Sequence, residues 1–255
     1  MHVALVGAEH QEDLTVRYLR GSLEAAGHEV TLIVFNDAND IERAATLLAA
    51  TQAPLAGLSL VFTNRAAEFA HLAERARQLG YRGHVTTGGH FAAFNAEALL
   101  RDVAAIDSVV VGEGERAICE LAFHLEDLGE VPSLVFRTHD GALVRNLARK
   151  KLSDLDVLPW PTRRQPYDDY LGLPIANILG SRGCSHHCSF CSITAWHRMC
   201  GGARLRMRSP EKIAEEMAPL YRDGVRIFNF HDDNFIIPNR RLMLERIDRM
   251  KRALA

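Results

Sequence analysis

The sequence predicts a parallel α/β fold, on three observations. From residue 2 to about residue 127, short apolar runs alternate with stretches of helical periodicity. The runs HVALVGA, HEVTLIVFN, LAGLSLVFTN, HVTTGGH and SVVVGEG are rich in β-branched residues. They run out into Gly, Asn, His or Glu, the residue types that leave a strand for a loop. Function in such sheets gathers at the carboxyl ends of the strands.

The composition fits a globular protein. Of 255 residues, 47% are apolar, enough for one large core or two smaller ones. With 30 Lys and Arg against 32 Asp and Glu, no global field draws the chain to nucleic acid or an anionic membrane. The opening residues MHVALVGAEHQED fit a first core strand and not a secretory signal, and no run is long enough to span a bilayer, so a cytoplasmic location is expected. Five cysteines, three of them within eight positions, speak against a disulfide framework and for a metal site in a reducing compartment.

The elements follow in order. Val16, Leu19, Leu23 and Ala26 recur at helical spacing, as do Phe69, Leu72, Ala76 and Leu79, with Gly27 and Gly80 as helix stops. Five βα units over residues 1–130 give a flavodoxin-like (Rossmann-like) domain. Residues 131–174 read as a linker: PSLVFRTHDGALVRN is a hairpin around Asp140-Gly141, and prolines 159, 161, 166 and 174 punctuate an irregular crossing. A second α/β pattern fills 175–255. IANILGSRG leads into a cysteine loop, and Ser209-Pro210-Glu211 opens a helix to about Arg222, with Ser as N-cap and Pro at the first helical position. The strand VRIFNFHDD follows, then a helix with Met243, Ile247, Met250 and Leu254 along one face.

The segment SRGCSHHCSFCSI places Cys184, Cys188 and Cys191 in one loop directly after a predicted strand. A structural zinc site needs a fourth Cys or His, whereas a cubane [4Fe-4S] cluster on three thiolates leaves one iron open. The alternatives are a zinc loop completed by Cys200, His186, His187 or His197, or free thiols. Cys119, inside ERAICELAF, reads as a core residue. The spacing C-x3-C-x2-C, with the aromatic Phe190 before the third Cys, resembles the signature of radical S-adenosylmethionine enzymes. That resemblance implies a partial (β/α) barrel, of which 175–255 is the first part. It also implies S-adenosylmethionine on the open iron, one-electron cleavage to a 5′-deoxyadenosyl radical, and an electron donor such as flavodoxin or ferredoxin. Asp232 and Asp233, after the second strand of that domain, stand where the family holds the methionine amino group. Their other reading is two carboxylates capping a loop or solvated.

Fold alone leaves the ligand of the N-terminal domain open. Its loops resemble those of cobalamin-binding domains: Ser59-Leu60-Val61 ends the third strand, and Gly88-Gly89 ends the fourth with 26 residues between them. Relatives that pair a cobalamin domain with the radical chemistry read Gly-Gly-x-His and Val-x-Gly-Glu-Gly-Glu in these loops. This chain has Gly88-Gly89-His90 and Val111-Gly112-Glu113-Gly114-Glu115. Small residues there let the backbone lie against a corrin. The lower-axial Asp-x-His-x-x-Gly motif is missing: counting back from Ser59 lands on EDLTVR, and His10, the nearest imidazole, lacks the pattern.

The resemblance therefore implies a cobalamin-dependent radical enzyme that methylates an unactivated carbon or phosphorus, or cyclises or rearranges its substrate, a small molecule or peptide. The readings from other classes are a non-catalytic cobalamin or iron–sulfur binding module and a zinc-stabilised regulator. A full radical core resembles about six βα units and only two follow the linker, so a complementing chain or further C-terminal sequence is expected.

Overall fold

The computed structural model describes residues 1–10 and 12–255. They divide into two compact units, Met1–Arg149 and Lys150–Ala255. In the first unit the chain runs β1 (His2–Gly7), α1 (Leu14–Ala25), β2 (Glu29–Val34), α2 (Ile41–Thr51), β3 (Leu55–Ser59), α3 (Ala66–Gln78) and β4 (His84–Gly88). It continues through α4 (His90–Phe94), α5 (Ala96–Asp102), β5 (Ser108–Val110) and α6 (Gly114–Phe123). Strand order β2-β1-β3-β4-β5, all parallel, is the flavodoxin-like order expected.

Alternation along β1 sends Val3 and Leu5 to one face, where they join Leu23 of α1 and Ala117, Ile118 and Leu121 of α6. Leu48, Phe69, Leu72 and Ala76, from α2 and α3, are equally buried. Burial on both sides explains why these strands read as continuous apolar runs rather than alternating ones. Asp13 caps α1 by accepting from the Thr15 amide at 2.8 Å.

The hairpin expected in a linker belongs to this sheet. β6 (Leu134–Arg137) pairs antiparallel with β5, and β7 (Leu143–Arg145) with β6, making seven strands. Burial of Leu134, Val135 and Phe136 against the core drives the docking, and the first unit therefore runs to Arg149 rather than to 130.

The second unit contains β8 (Asp168–Tyr170), β9 (Leu173–Ile178), β10 (Ser181–Gly183), α7 (Ser192–Cys200) and β11 (Leu205–Met207). It ends with α8 (Pro210–Arg222), β12 (Ile227–Phe230) and α9 (Arg240–Leu254). β9 lies between β12, parallel, and β8, antiparallel. Ser209 caps α8, accepting from the Lys212 amide at 3.2 Å, with Pro210 inside the first turn as the sequence predicts. Ala176, Ile178, Ile213, Leu220 and Val225 form the core.

Two features depart from the expected pattern. The segment between the cysteines and α8 is not loop throughout: it forms α7 and β11, and β11 pairs antiparallel with β10, the strand before the cysteines. On α9, Met250 packs on the core but Ile247 and Leu254 stay exposed, and the buried residue is Arg246. Its guanidinium donates to the carbonyls of Arg208, at 2.6 Å, and Gly180, at 3.3 Å, the latter also accepting from the Arg208 amide at 2.9 Å. Among the described residues no helix is long and apolar enough to cross a membrane.

Tyr81, fully buried, donates its hydroxyl to the Ala53 carbonyl at 2.7 Å and thereby ties the end of α3 to the entry of β3. Tyr81→Phe keeps the ring but strands that carbonyl, so urea denaturation should show a loss of about 1–3 kcal/mol with an unchanged m-value.

Candidate functional site

The three thiols are set by the hairpin before them and the helix after them. β10 ends at Gly183, Cys184 opens the loop, and Cys191 stands at the N-cap position of α7. Cys188 and Phe190 are exposed, Phe190 to 91%, so the loop presents its apex outward. The sulfur of Cys184 lies 3.4 Å from the His186 amide and 3.6 Å from the Asn234 side-chain amide, donors suited to a thiolate. Arg204 holds the loop from below, its guanidinium 2.7 Å from His187 Nδ1 and donating to the His186 carbonyl.

Gly183 is the pivot of this arrangement. Its φ is +87°, and a Cβ there would fall 1.9 Å from the Arg204 carbonyl oxygen and 2.5 Å from His197 Cε1, so only glycine lets the chain pass.

Among the described residues no three His, Cys, Asp or Glu side chains gather as around a single metal ion. Of the side chains proposed to complete a zinc loop, His187 faces Arg204, His197 faces Lys151 and Cys200 is buried at the inner end of α7, while His186 is exposed. A cubane spreads its thiolates over separate irons, and the exposed three-thiol loop fits that group where it offers no closed four-ligand zinc set.

The carboxylates after β12 turn back onto the segment that carries the cysteines. Asp232 Oδ1 accepts from the amides of Gly180, at 2.7 Å, and Ser181, at 3.0 Å, and Asp233 Oδ2 accepts from Gly183 at 3.0 Å. Asn234 completes the grip, its carbonyl accepting from the Ser181 hydroxyl at 3.1 Å. Asp232 Oδ2 is buried without a hydrogen-bond partner among the described residues. Burial holds the Asp232 carboxyl above its ordinary value of 3.8 against the pull of those amides. The sequence singled out the two aspartates; Asn234 and Arg204 it did not, because no local spacing links them to residues fifty and eighteen positions away.

In the first unit the loop residues singled out meet at the carboxyl edge of the sheet. Ser59 and Gly88 are register partners, and the Leu60 amide donates to the Gly88 carbonyl at 2.8 Å. Amides of Phe91 and Ala92 return to the carbonyls of Val61 and Leu60. Gly89 adopts φ +104° with its Cα against the Leu60 backbone, which admits no side chain. At Gly88 a Cβ would make only ordinary contact with Val110, so packing does not demand its bareness; what its absence does is leave backbone open at the rim. His90 starts α4 with its ring 6.5 Å from that of Phe94. Gly112 precedes α6, Glu113 is its N-cap residue and Gly114 its first. A rim of open backbone is the surface a corrin can lie on.

No histidine takes the lower-axial position by sequence pattern. EDLTVR is the beginning of α1, and His10 is exposed. Instead, Glu9 is buried in a bidentate pair with Arg17, at 2.9 and 2.8 Å, and its amide donates to Asn36 Oδ1 at 2.7 Å.

The fold and these two sets of loops define a corrinoid-type α/β domain followed by a unit with a three-thiol cluster loop. Residues 3–122, most of the first unit, match the B12-binding domain family. The chain is related to the anaerobic magnesium-protoporphyrin IX monomethyl ester cyclase of Synechocystis sp., 34% identical over 157 residues that cover 59% of this chain and 30% of that one. It is 31% identical to the hopanoid C-3 methylase of Methylococcus capsulatus over 226 residues, 84% of this chain and 41% of that one. Its fold matches that of the cobalamin-dependent S-adenosylmethionine radical enzyme OxsB with a TM-score of 0.75 at 19% identity, over 99% of this chain and 36% of that one. The chain thus spans less than half the length of each of these proteins.

Asp232 yields a prediction with a definite sign. A carboxyl whose folded-state pKa is raised stabilises the fold below its unfolded value, and that contribution is lost as pH rises through the raised value. Asn at this position keeps an oxygen for both amides. Asp232→Asn should therefore equal or exceed the parent in thermal stability at neutral pH, and the parent's decline as pH rises from about 4 should vanish. A variant less stable than the parent across the whole range would show that the charge itself holds the loop.

Proposed function

We propose that this chain binds cobalamin on the carboxyl rim of its B12-binding domain and a [4Fe-4S] cluster on Cys184, Cys188 and Cys191. On this reading it acts in radical S-adenosylmethionine chemistry: methylation of an unactivated carbon or phosphorus, or cyclisation or rearrangement of a small-molecule or peptide substrate. The observation that carries the reading is the conjunction, in one chain, of the B12-binding match over 3–122 and an exposed three-thiol loop braced by Asp233, Asn234 and Arg204. When bound, cluster and S-adenosylmethionine supply a 5′-deoxyadenosyl radical and cobalamin carries a methyl group.

The protein's own part is to bind and orient. Ser59, Gly88, Gly89, His90 and the Gly112-Glu113-Gly114 turn offer the corrin a rim of backbone and small side chains. Phe190 flanks the cluster. Asp232, whose free Oδ2 is already desolvated, and Asp233 are the acceptors for the ammonium of the methionine moiety. An electron donor of the flavodoxin or ferredoxin kind approaches the exposed side of the loop at Cys188.

Anaerobically purified and reconstituted protein should contain iron, sulfide and cobalt. Ala at any one of Cys184, Cys188 or Cys191 should abolish the iron–sulfur absorption. Cys119→Ala and Cys200→Ala should not: burial on α6 pushes the Cys119 thiol up to about 11, away from the thiolate a ligand needs, and Cys200 faces inward. Zinc in place of iron, or iron retained by all three single variants, would overturn the assignment. S-adenosylmethionine with a reductant should then release 5′-deoxyadenosine, which a non-catalytic module would not do.

With no Asp-x-His-x-x-Gly loop in the chain, bound cobalamin would have its own base displaced and no protein imidazole in its place. Paramagnetic resonance of the cobalt(II) state should lack nitrogen splitting and be unchanged in His10→Ala. A single-nitrogen pattern that disappears in that variant would make His10 the ligand.

A further inference from the structure

Behind the cysteine loop lies a buried polar group that the reading so far leaves unused. His197, on α7, is 5% exposed, and its Nδ1 is in contact with the Lys151 ammonium. An ammonium has only protons to give, so Nδ1 accepts and the ring proton sits on Nε2. That Nε2 is buried and has no hydrogen-bond partner among the described residues. It abuts the backbone one residue before Cys184: a Cβ on Gly183 would lie 2.7 Å from it.

The surroundings are cationic. Lys151, Arg204 and Arg206 all act on this imidazole, and with burial as the larger cause they lower its pKa to about 4; Asp233 alone opposes them. Arg206 is itself buried and donates to the Leu152 carbonyl at 2.7 Å, so its charge is fixed in place. A buried donor without an acceptor costs free energy, and fixed positive charge around it favours an anionic group beside it. Three thiolates carrying a cluster supply that charge.

Resting on the cluster reading above, we propose that Lys151 and His197 are positioning residues for the iron–sulfur cluster. Lys151 fixes the His197 tautomer, the Nε2–H points into the cluster side of the loop, and the pair, with Arg204 and Arg206, stabilises the reduced and more negative cluster. Hydrogen bonds toward sulfur and local positive charge both raise the potential of such a centre. One electron from a low-potential reductant enters the cluster, and no protein bond forms or breaks.

The test is a redox titration of the reconstituted full chain, followed by absorption and by paramagnetic resonance of the reduced cluster. Lys151→Met and His197→Phe should retain iron and sulfide, yet at the potential where the parent is half reduced their ratio of reduced to oxidised cluster should fall at least tenfold, a shift of about 59 mV for one electron. Lys151→Arg, which keeps the charge, should titrate with the parent. Parent-like potentials in both Lys151→Met and His197→Phe would overturn the proposal, and so would a shift in Lys151→Arg as large as in Lys151→Met.

A second measurement does not depend on those variants folding. In the full chain carrying His186→Gln and His187→Gln, both at exposed positions, ¹⁵N-labelled histidine should still give a resolved nitrogen coupling to the reduced cluster, and its absence would overturn the proposal. A parent chain that takes up no iron and sulfide would overturn the cluster reading itself. Equal potentials on an intact cluster would overturn only this inference.

Discussion

The second unit turns on the grip of two adjacent carboxylates on the backbone that leads into the cysteines. β9 and β12 run parallel and end together, and parallel strands leave their next amides unpaired at that edge. Asp232 and Asp233 meet this need by accepting from Gly180, Ser181 and Gly183. The turn after β9 is thereby fixed in direction, β10 can pair with β11, and the cysteine loop emerges at one place rather than several. Each accepting oxygen takes a backbone amide that has left the sheet ladder, which fixes the direction of a segment that must stay rigid.

The carbonyls of the same segment are met by cations. Asn177 O accepts from Arg163, Leu179 O from Arg208 and Gly180 O from Arg246. Glu216 on α8 lies between Arg163 and Arg208, paired with both and almost wholly buried. Buried charges of this kind add little net stability over an apolar core, because desolvation offsets most of the attraction. What they supply is a directional fit at the end of a strand that apolar side chains cannot provide, since a carbonyl needs a donor. Arg246 shows the cost. Burial lowers the pKa of its guanidinium, and its Nε has no partner among the described residues, yet it occupies the helix face that apolar periodicity assigned to methionine and leucine.

This explains what the sequence did and did not disclose. Strands buried on both faces leave an unmistakable run of Val, Leu and Ile, and the five parallel strands were legible for that reason. The cysteine loop between β10 and α7 could be located because the spacing of its three thiols is local. The hairpin at residues 134–145 was legible as a hairpin, through Asp140-Gly141, but its place was not: whether a β-ribbon docks on a sheet edge depends on partners distant in sequence, here Ser108, Val109 and Val110. α7 was hidden because SITAWHRMC is short and its apolar pattern is broken by His197 and Arg198, with its one strong signal, the Gly201-Gly202 stop, shared with a turn. Lys151 and His197 lie forty-six residues apart, and nothing in either neighbourhood marks them as a pair.

The two rims are built by opposite means, and the difference matches the groups that the proposed function assigns to each. In the first unit, charge near the carboxyl edge is neutralised internally, as in the Glu9–Arg17 pair, and the loops at Ser59, Gly88 and Gly89 are knitted by backbone bonds with bare surface between them. A large, flat and mostly uncharged ring system is bound by contact area and backbone polarity, which a charged rim would disturb. In the second unit the rim is crowded with ionised groups held in fixed geometry, carboxylates on one side of the cysteine loop and cations beneath it. A small, anionic and redox-active centre, beside a cationic sulfonium with an ammonium to hold, is bound and tuned by such fixed charge far more than by area. Around Gly183, Asp233 accepts from its amide and the neutral His197 ring lies against its Cα, so a carboxylate and a buried N–H donor both stand within one residue of Cys184. A glycine is required at that point because the backbone turns at φ +87° and the Arg204 carbonyl and the His197 ring leave no room for a side chain.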